Sequence, residues 1–120
     1  QEGRGFQQLM RELAQERLVQ GIRAVASAEA AIEWTLDYAA QRRMFGQTLA
    51  DFQNTRFKLA EMRAETQAQR VFLDRCIELH LARQLSATDA AMLKLTTTEL
   101  QGRVMDACLQ LFGGWGYMWE

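Results

Sequence analysis

Apolar residues recur at helical spacing along almost the whole of this chain. Phe6, Leu9, Met10 and Leu13 follow at intervals of three, one and three, the spacing of a single helical face. Ile22, Val25, Ile32 and Leu36 carry the stripe on, rotated to a neighbouring face. A first helix over residues 6–42 is predicted, and a helix whose apolar surface moves round in this way touches more than one neighbour. Arg42-Arg43-Met44-Phe45-Gly46 breaks the pattern: Gly46 is read as the helix terminator, and two arginines before it suit the negative end of the helix dipole. A second helix is predicted over 48–82, opened by Thr48 with Asp51 three residues on, and burying Leu49, Phe52, Leu59, Met62, Leu73 and Cys76. Ser86 and Asp89 open a third helix in the same way. It is predicted to reach residue 112, with Ala91, Leu95, Thr98, Met105, Leu109 and Phe112 at helical spacing. Gly113, Gly114 and Gly116 then stop it. Short connections make neighbouring helices antiparallel. The expected fold is all-α: three long antiparallel helices forming most of a four-helix-bundle-like domain across residues 1–120.

Composition agrees. The chain has no proline, which argues against a loop-rich β fold whose turns recruit it. Apolar residues make up 48% and charged residues 24%, which excludes a disordered acidic tail. With 14 basic against 15 acidic residues the net charge is -1, so there is no cationic excess to hold a nucleic-acid backbone. No apolar run approaches the roughly 20 residues of a membrane span, and no signal peptide is visible. Cys76 and Cys108 form neither a CxxC nor any metal-ligand spacing. Each sits in an apolar helical stretch and is read as a buried free thiol, which suits a reducing compartment. The chain opens on Gln1 and stops at Glu120 inside an aromatic, glycine-rich segment, and is read as a piece of a longer protein.

Few residues stand out for chemistry. Glu16 lies one turn beyond Leu13, at the edge of an apolar face, where a desolvated carboxylate can serve as a base near neutral pH. On spacing alone the simpler reading is a solvated helix glutamate beside Gln20 or Arg23. Arg42, Arg43 and Phe45 beside Gly46 can hold a diphosphate and pack a nucleotide, or can simply be helix-end charge. The Gly113-Gly114-Trp115-Gly116 turn lets backbone approach a ligand and offers amide N–H groups to an anion, or merely reverses the chain. It is not a dinucleotide fingerprint, because no strand precedes it. His80, the single histidine, has no Ser or Cys partner at recognisable spacing.

Three segments together resemble the acyl-CoA dehydrogenase family: Gln15-Glu16-Arg17-Leu18-Val19; Gln41-Arg42-Arg43-Met44-Phe45-Gly46-Gln47 with Phe52-Gln53 following; and Gln110-Leu111-Phe112-Gly113-Gly114-Trp115-Gly116-Tyr117-Met118-Trp119-Glu120. Their order and separation match the first three helices of the family's C-terminal helical domain, and the strings around Glu16 and Gly113 look most like its long-chain branch. The resemblance implies an FAD enzyme that takes a proton from the α carbon of a fatty acyl-CoA thioester and passes hydride from the β carbon to the flavin. The product is a trans-2-enoyl-CoA, and electrons leave through an electron-transfer flavoprotein. In most members the catalytic glutamate lies downstream of the glycine-rich segment. In the long-chain and isovaleryl branches it is instead the glutamate of a Glu-Arg-Leu sequence on the first helix of this domain, which Glu16-Arg17-Leu18 matches.

The resemblance further implies FAD contacts at Arg42, Phe45, Gln53, Gln110, Gly113 and Gly114, reaching the adenosine-diphosphate part of a cofactor bound mainly by a neighbouring subunit. It places Arg17 toward the substrate and gives Glu120 a structural role; no metal is expected. The implied assembly is a dimer of dimers, in the bacterial cytoplasm or the mitochondrial matrix. The family's N-terminal helical domain and middle β domain have no counterpart in this sequence, so the chain by itself is expected to be inactive. Acyl-CoA oxidases and flavin monooxygenases share this helical domain and stand as the enzyme alternatives. A helical interaction module is the non-enzyme one.

Overall fold

The computed structural model describes residues 3–119, the side chain of Arg11 excepted. The expected role of Glu120 therefore lies outside the described residues. Three helices dominate: α1 (Gly5–Gln41), α2 (Gln53–Leu81) and α3 (Ala87–Phe112). Between α1 and α2 lie two short strands, β1 (Arg43–Met44) and β2 (Gln47–Thr48), and a 3-10 turn at Leu49–Asp51. A second 3-10 turn, Gly113–Tyr117, follows α3.

The helices match the predicted spans except at the start of α2. There Thr48 ends a small antiparallel hairpin, with Arg43 opposite Thr48 and Met44 opposite Gln47, and the 3-10 turn takes the place of the first predicted helical turn. Phe45 and Gly46 form its two-residue loop with φ of 52° and 85°, the positive pair that a type I′ turn requires. Gly46 is thus a hairpin glycine and not the terminator of α1, which ends earlier with Arg42 in extended backbone. The Thr48–Asp51 capping box is present but opens the 3-10 turn. Asp51 accepts from both the backbone and the hydroxyl of Thr48, at 2.9 and 2.7 Å, and these bonds hold its carboxyl below the usual range. Ser86 caps α3 as expected, accepting the Asp89 N–H at 2.9 Å.

Two apolar clusters form the core. Leu18 and Val25 of α1 meet Leu73 and Cys76 of α2 and Leu93 of α3. Further along, Ala28 and Ile32 meet Leu59 and Met62 of α2 and Leu100, Val104 and Cys108 of α3. Sequence order in these clusters makes α2 antiparallel to both neighbours, with α1 and α3 running the same way. The face α1 turns to the core is mostly small residues, including Gly21, Ala24, Ala28 and Ala39. A Cβ added at Gly21 would lie 2.9 Å from Leu93, so glycine here sets how closely α1 and α3 approach. Both cysteines are free and buried, and burial pushes both thiols up.

The predicted stripe on α3 is corrected. Ala90, Leu93, Thr97, Leu100, Val104 and Cys108 are buried, whereas Leu95 and Met105 are exposed. Helix α3 carries apolar residues on two faces, and only the face opposite α1 and α2 is covered. The same holds at the start of α1, where Phe6, Leu9 and Met10 are exposed. The long, thin outline of the described residues, 68 × 29 × 16 Å, follows from three long helices packed lengthwise side by side.

Candidate functional site

The end of α1, the hairpin, the start of α2 and the end of α3 surround one recess of about 440 Å³. Arg42 enters it from the α1 terminus. Its N–H bonds the Tyr38 carbonyl at 2.8 Å, and its own carbonyl accepts the Leu49 N–H at 2.7 Å. The hairpin is therefore folded back onto the residue that carries the guanidinium. On the opposite wall, Gly113 has φ 61° and ψ −135°, a conformation closed to residues with a Cβ. It turns the chain sharply out of α3, so that Gln110, Gly113 and Gly114 all line the recess. Tyr38 and Phe112 stack beneath, with ring centroids 4.3 Å apart.

Tyr38, Asn54 and Lys58 are among the lining residues that the sequence did not point to. Asn54 and Lys58 face the recess from α2, and their i, i+4 spacing puts them on one face. Tyr38 lies one turn before Arg42. No spacing along the chain marks them, because the recess forms only where three helix ends converge. Among the described residues no carboxylate lines the recess, while Arg42 and Lys58 both do. The adjoining end of α3 presents its negative dipole, so the cationic side chains and the amide donors are what suit the site to an anion. Phe45 and Gln53 are not among the lining residues. Phe45 stands at the hairpin tip, 90% exposed, and Gln53 is exposed at the first turn of α2.

Glu16 and Arg17 lie elsewhere. With Leu13 and Gln20 of α1, and Ala91 and Lys94 of α3, they border an open recess of about 410 Å³. Glu16 is exposed and Arg17 half-buried. Glu16 lies open to solvent, with Leu13 only half-buried and Val19 exposed on the same side of α1. Glu16 and Arg42 are 26 residues apart on one continuous helix. At about 1.5 Å rise per residue that is roughly 39 Å, more than a dinucleotide can bridge. Among the described residues, no three His, Cys, Asp or Glu side chains come together as metal ligands. No helix is long and apolar enough to cross a membrane.

The geometry defines an all-α domain with a cationic, glycine-walled recess at one end and a glutamate-bearing cleft at the other. A family model described as acyl-CoA dehydrogenase, C-terminal domain, matches residues 3–120, and the chain belongs to that family. It is 43% identical over 120 residues to the long-chain specific mitochondrial acyl-CoA dehydrogenase of Rattus norvegicus, covering all of this chain and 28% of that protein. The crystal structure of acyl-CoA dehydrogenase from Geobacillus kaustophilus superposes with a TM-score of 0.96 at 44% identity, over 99% of this chain and 31% of that one. Butyryl-CoA dehydrogenase from Megasphaera elsdenii superposes at 0.93 with 33% identity, over 98% and 31%. The chain thus spans less than a third of the length of these relatives.

Proposed function

We propose that this chain is the C-terminal helical domain of an FAD-dependent dehydrogenase that converts fatty acyl-CoA thioesters to trans-2-enoyl-CoA and passes electrons to an electron-transfer flavoprotein. The observation that carries the reading is the recess, where four of the six residues that the resemblance assigned to FAD line one cationic cavity from its two sides. Arg42 and Lys58 would face the diphosphate, Gln110 and the Gly114 backbone would donate hydrogen bonds to it beside Gly113, whose own N–H bonds the Gln110 carbonyl, and Phe45 and Gln53 would complete the set from the outer side. Bound FAD supplies the hydride acceptor.

Glu16 would take the proton from the thioester α carbon, with Arg17 beside it toward the substrate. As this carboxylate is exposed here, the rest of the protein and the acyl chain must dry it. A base in that role works best when desolvation raises its pKa toward neutrality. The separation along α1 bears on assembly. An FAD whose diphosphate lies at Arg42 cannot have its flavin at Glu16 of the same chain. Each active site then takes Glu16 from one copy and Arg42 from another, which requires at least a dimer and accords with a dimer of dimers. The uncovered face of α3 around Leu95 and Met105 is the kind of apolar surface that such an assembly, or a fourth helix, would cover. The bacterial cytoplasm or the mitochondrial matrix is the expected compartment.

The test is Glu16→Gln in the full-length protein, mixed anaerobically with a long-chain acyl-CoA while flavin absorbance is followed. The variant should retain FAD and bind substrate, yet lose flavin bleaching by at least the roughly 10²–10⁴-fold typical of general-base removal. Near-normal bleaching would move the base to a glutamate outside this chain.

A further inference from the structure

We propose that Tyr38 is a positioning residue that fixes the separation between the two walls of the recess, Arg42 on one side and the Gly113–Gly114 turn on the other. The inference rests on the cofactor reading given above. Tyr38 is bound to both walls at once. Its backbone carbonyl accepts the N–H of Arg42 at 2.8 Å. Its hydroxyl donates to the carbonyl of Phe112 at 3.3 Å, and its ring stacks on the Phe112 ring, 19° from parallel. Phe112 is the last residue of α3 and immediately precedes Gly113.

Two physical consequences follow. The final carbonyls of a helix have no partner within it; the Phe112 carbonyl also opens the 3-10 turn Gly113–Tyr117, and the Tyr38 hydroxyl bonded to it fixes the start of that turn against α1. The ring stack meanwhile ties the last turn of α3 to the last turn of α1. Donors placed on two separate helices hold one diphosphate well only if their spacing is set before it arrives, since pre-organisation removes the ordering cost from binding. Tyr38 touches no part of the reacting substrate in this scheme and acts only through Arg42 and the glycine turn.

The experiment uses full-length apoprotein reconstituted with FAD, its dissociation constant read from flavin fluorescence, in wild type, Tyr38→Leu, Tyr38→Phe, Arg42→Ala and the Tyr38→Leu/Arg42→Ala double variant. Loss of a stacked pair and a neutral hydrogen bond should weaken FAD binding about tenfold in Tyr38→Leu. Tyr38→Phe keeps the stack and should stay within about threefold. A residue that merely stabilises the fold would give effects that multiply with Arg42→Ala. A residue that positions Arg42 should give a double variant clearly less impaired than the product of the two singles.

Wild-type FAD affinity in Tyr38→Leu, or simple multiplication in the double variant, overturns the inference. If Arg42→Ala weakens FAD while Tyr38→Leu does not, only this inference fails and the cofactor reading stands. If neither does, both fail. A loss in Tyr38→Leu with none in Arg42→Ala also overturns it, because no partner then remains to be positioned. Should Tyr38→Leu not fold, Phe112→Leu removes the same stack from the other side and is judged by the same criteria.

Discussion

Gly116 offers a sharp test of how the recess wall is built. It sits inside the 3-10 turn Gly113–Tyr117, folded against the last turns of α3. A Cβ placed there would lie 2.7 Å from Leu109 Cδ1, 3.0 Å from the Leu109 carbonyl oxygen and 3.3 Å from Phe112 Cβ. The first contact is relieved cheaply, because Leu109 is only half-buried and its tip can rotate. The carbonyl belongs to helical backbone and does not yield without disturbing α3. Gly116→Ala must therefore push the turn outward by a few tenths of an ångström. Overpacking of this kind costs about 1–3 kcal/mol, offset by roughly 0.4–1 kcal/mol from a stiffer unfolded chain. A net destabilisation of about 1–2 kcal/mol is expected. Because Gly113 and Gly114 ride on the same turn, FAD affinity should fall with it. Gly114→Ala is the control for folding alone: its Cβ would meet no protein atom within 4 Å and its φ is not in the left-handed region, so its melting temperature should not fall. The assay is thermal melting of the full-length apoprotein together with FAD titration of each variant. If Gly116→Ala melted and bound like wild type, the packed turn would not be what holds the recess wall.

Further predictions concern the interior of the bundle. The Thr66 hydroxyl is buried with no hydrogen-bond partner, whereas those of Thr35 and Thr97 each donate at 2.6 Å to a carbonyl one turn back. Thr66→Val should be neutral or stabilise by up to about 1 kcal/mol, and Thr35→Val should destabilise by about 1 kcal/mol; comparison of the two melting temperatures checks the sign. Arg70 of α2 forms an ion pair with Glu29 of α1, and its hydrogen bond is the main reason the Glu29 carboxyl is held below the usual carboxylate range. With the folded-state pKa depressed, the stabilisation is fully present above the unfolded-state value and is lost as pH falls through the folded-state one. Glu29→Gln should therefore narrow the difference in stability between neutral and acid pH by at most about 1 kcal/mol, since both partners are partly solvated. An unchanged pH profile in that variant would remove the pair from the stability account.

The sequence alone determined the elements of this protein whose causes are local. Helical periodicity and the absence of proline set three helices, and the Ser86–Asp89 pair marked the start of α3 because a cap is a bond between residues three apart. Leu59, Met62, Leu73 and Cys76 were legible as buried on α2, which carries one dominant apolar stripe. The recess was legible in part, since the motifs carrying Arg42, Gln110, Gly113 and Gly114 name residues that fold to one place. Tertiary structure decided the rest. The hairpin was hidden because Phe45 takes positive φ without being a usual turn residue, so its sequence carries no turn signal. The buried face of α3 was misread because that helix has two apolar faces. The choice between them is made by the close approach to α1 at Gly21. Tyr38 and Lys58 join the recess only because three helix ends converge there, and no spacing along one chain encodes a convergence. The surroundings of Glu16 follow the same rule: helical pattern puts the carboxylate beside an apolar stripe, but whether it is desolvated depends on the neighbours that cover that stripe.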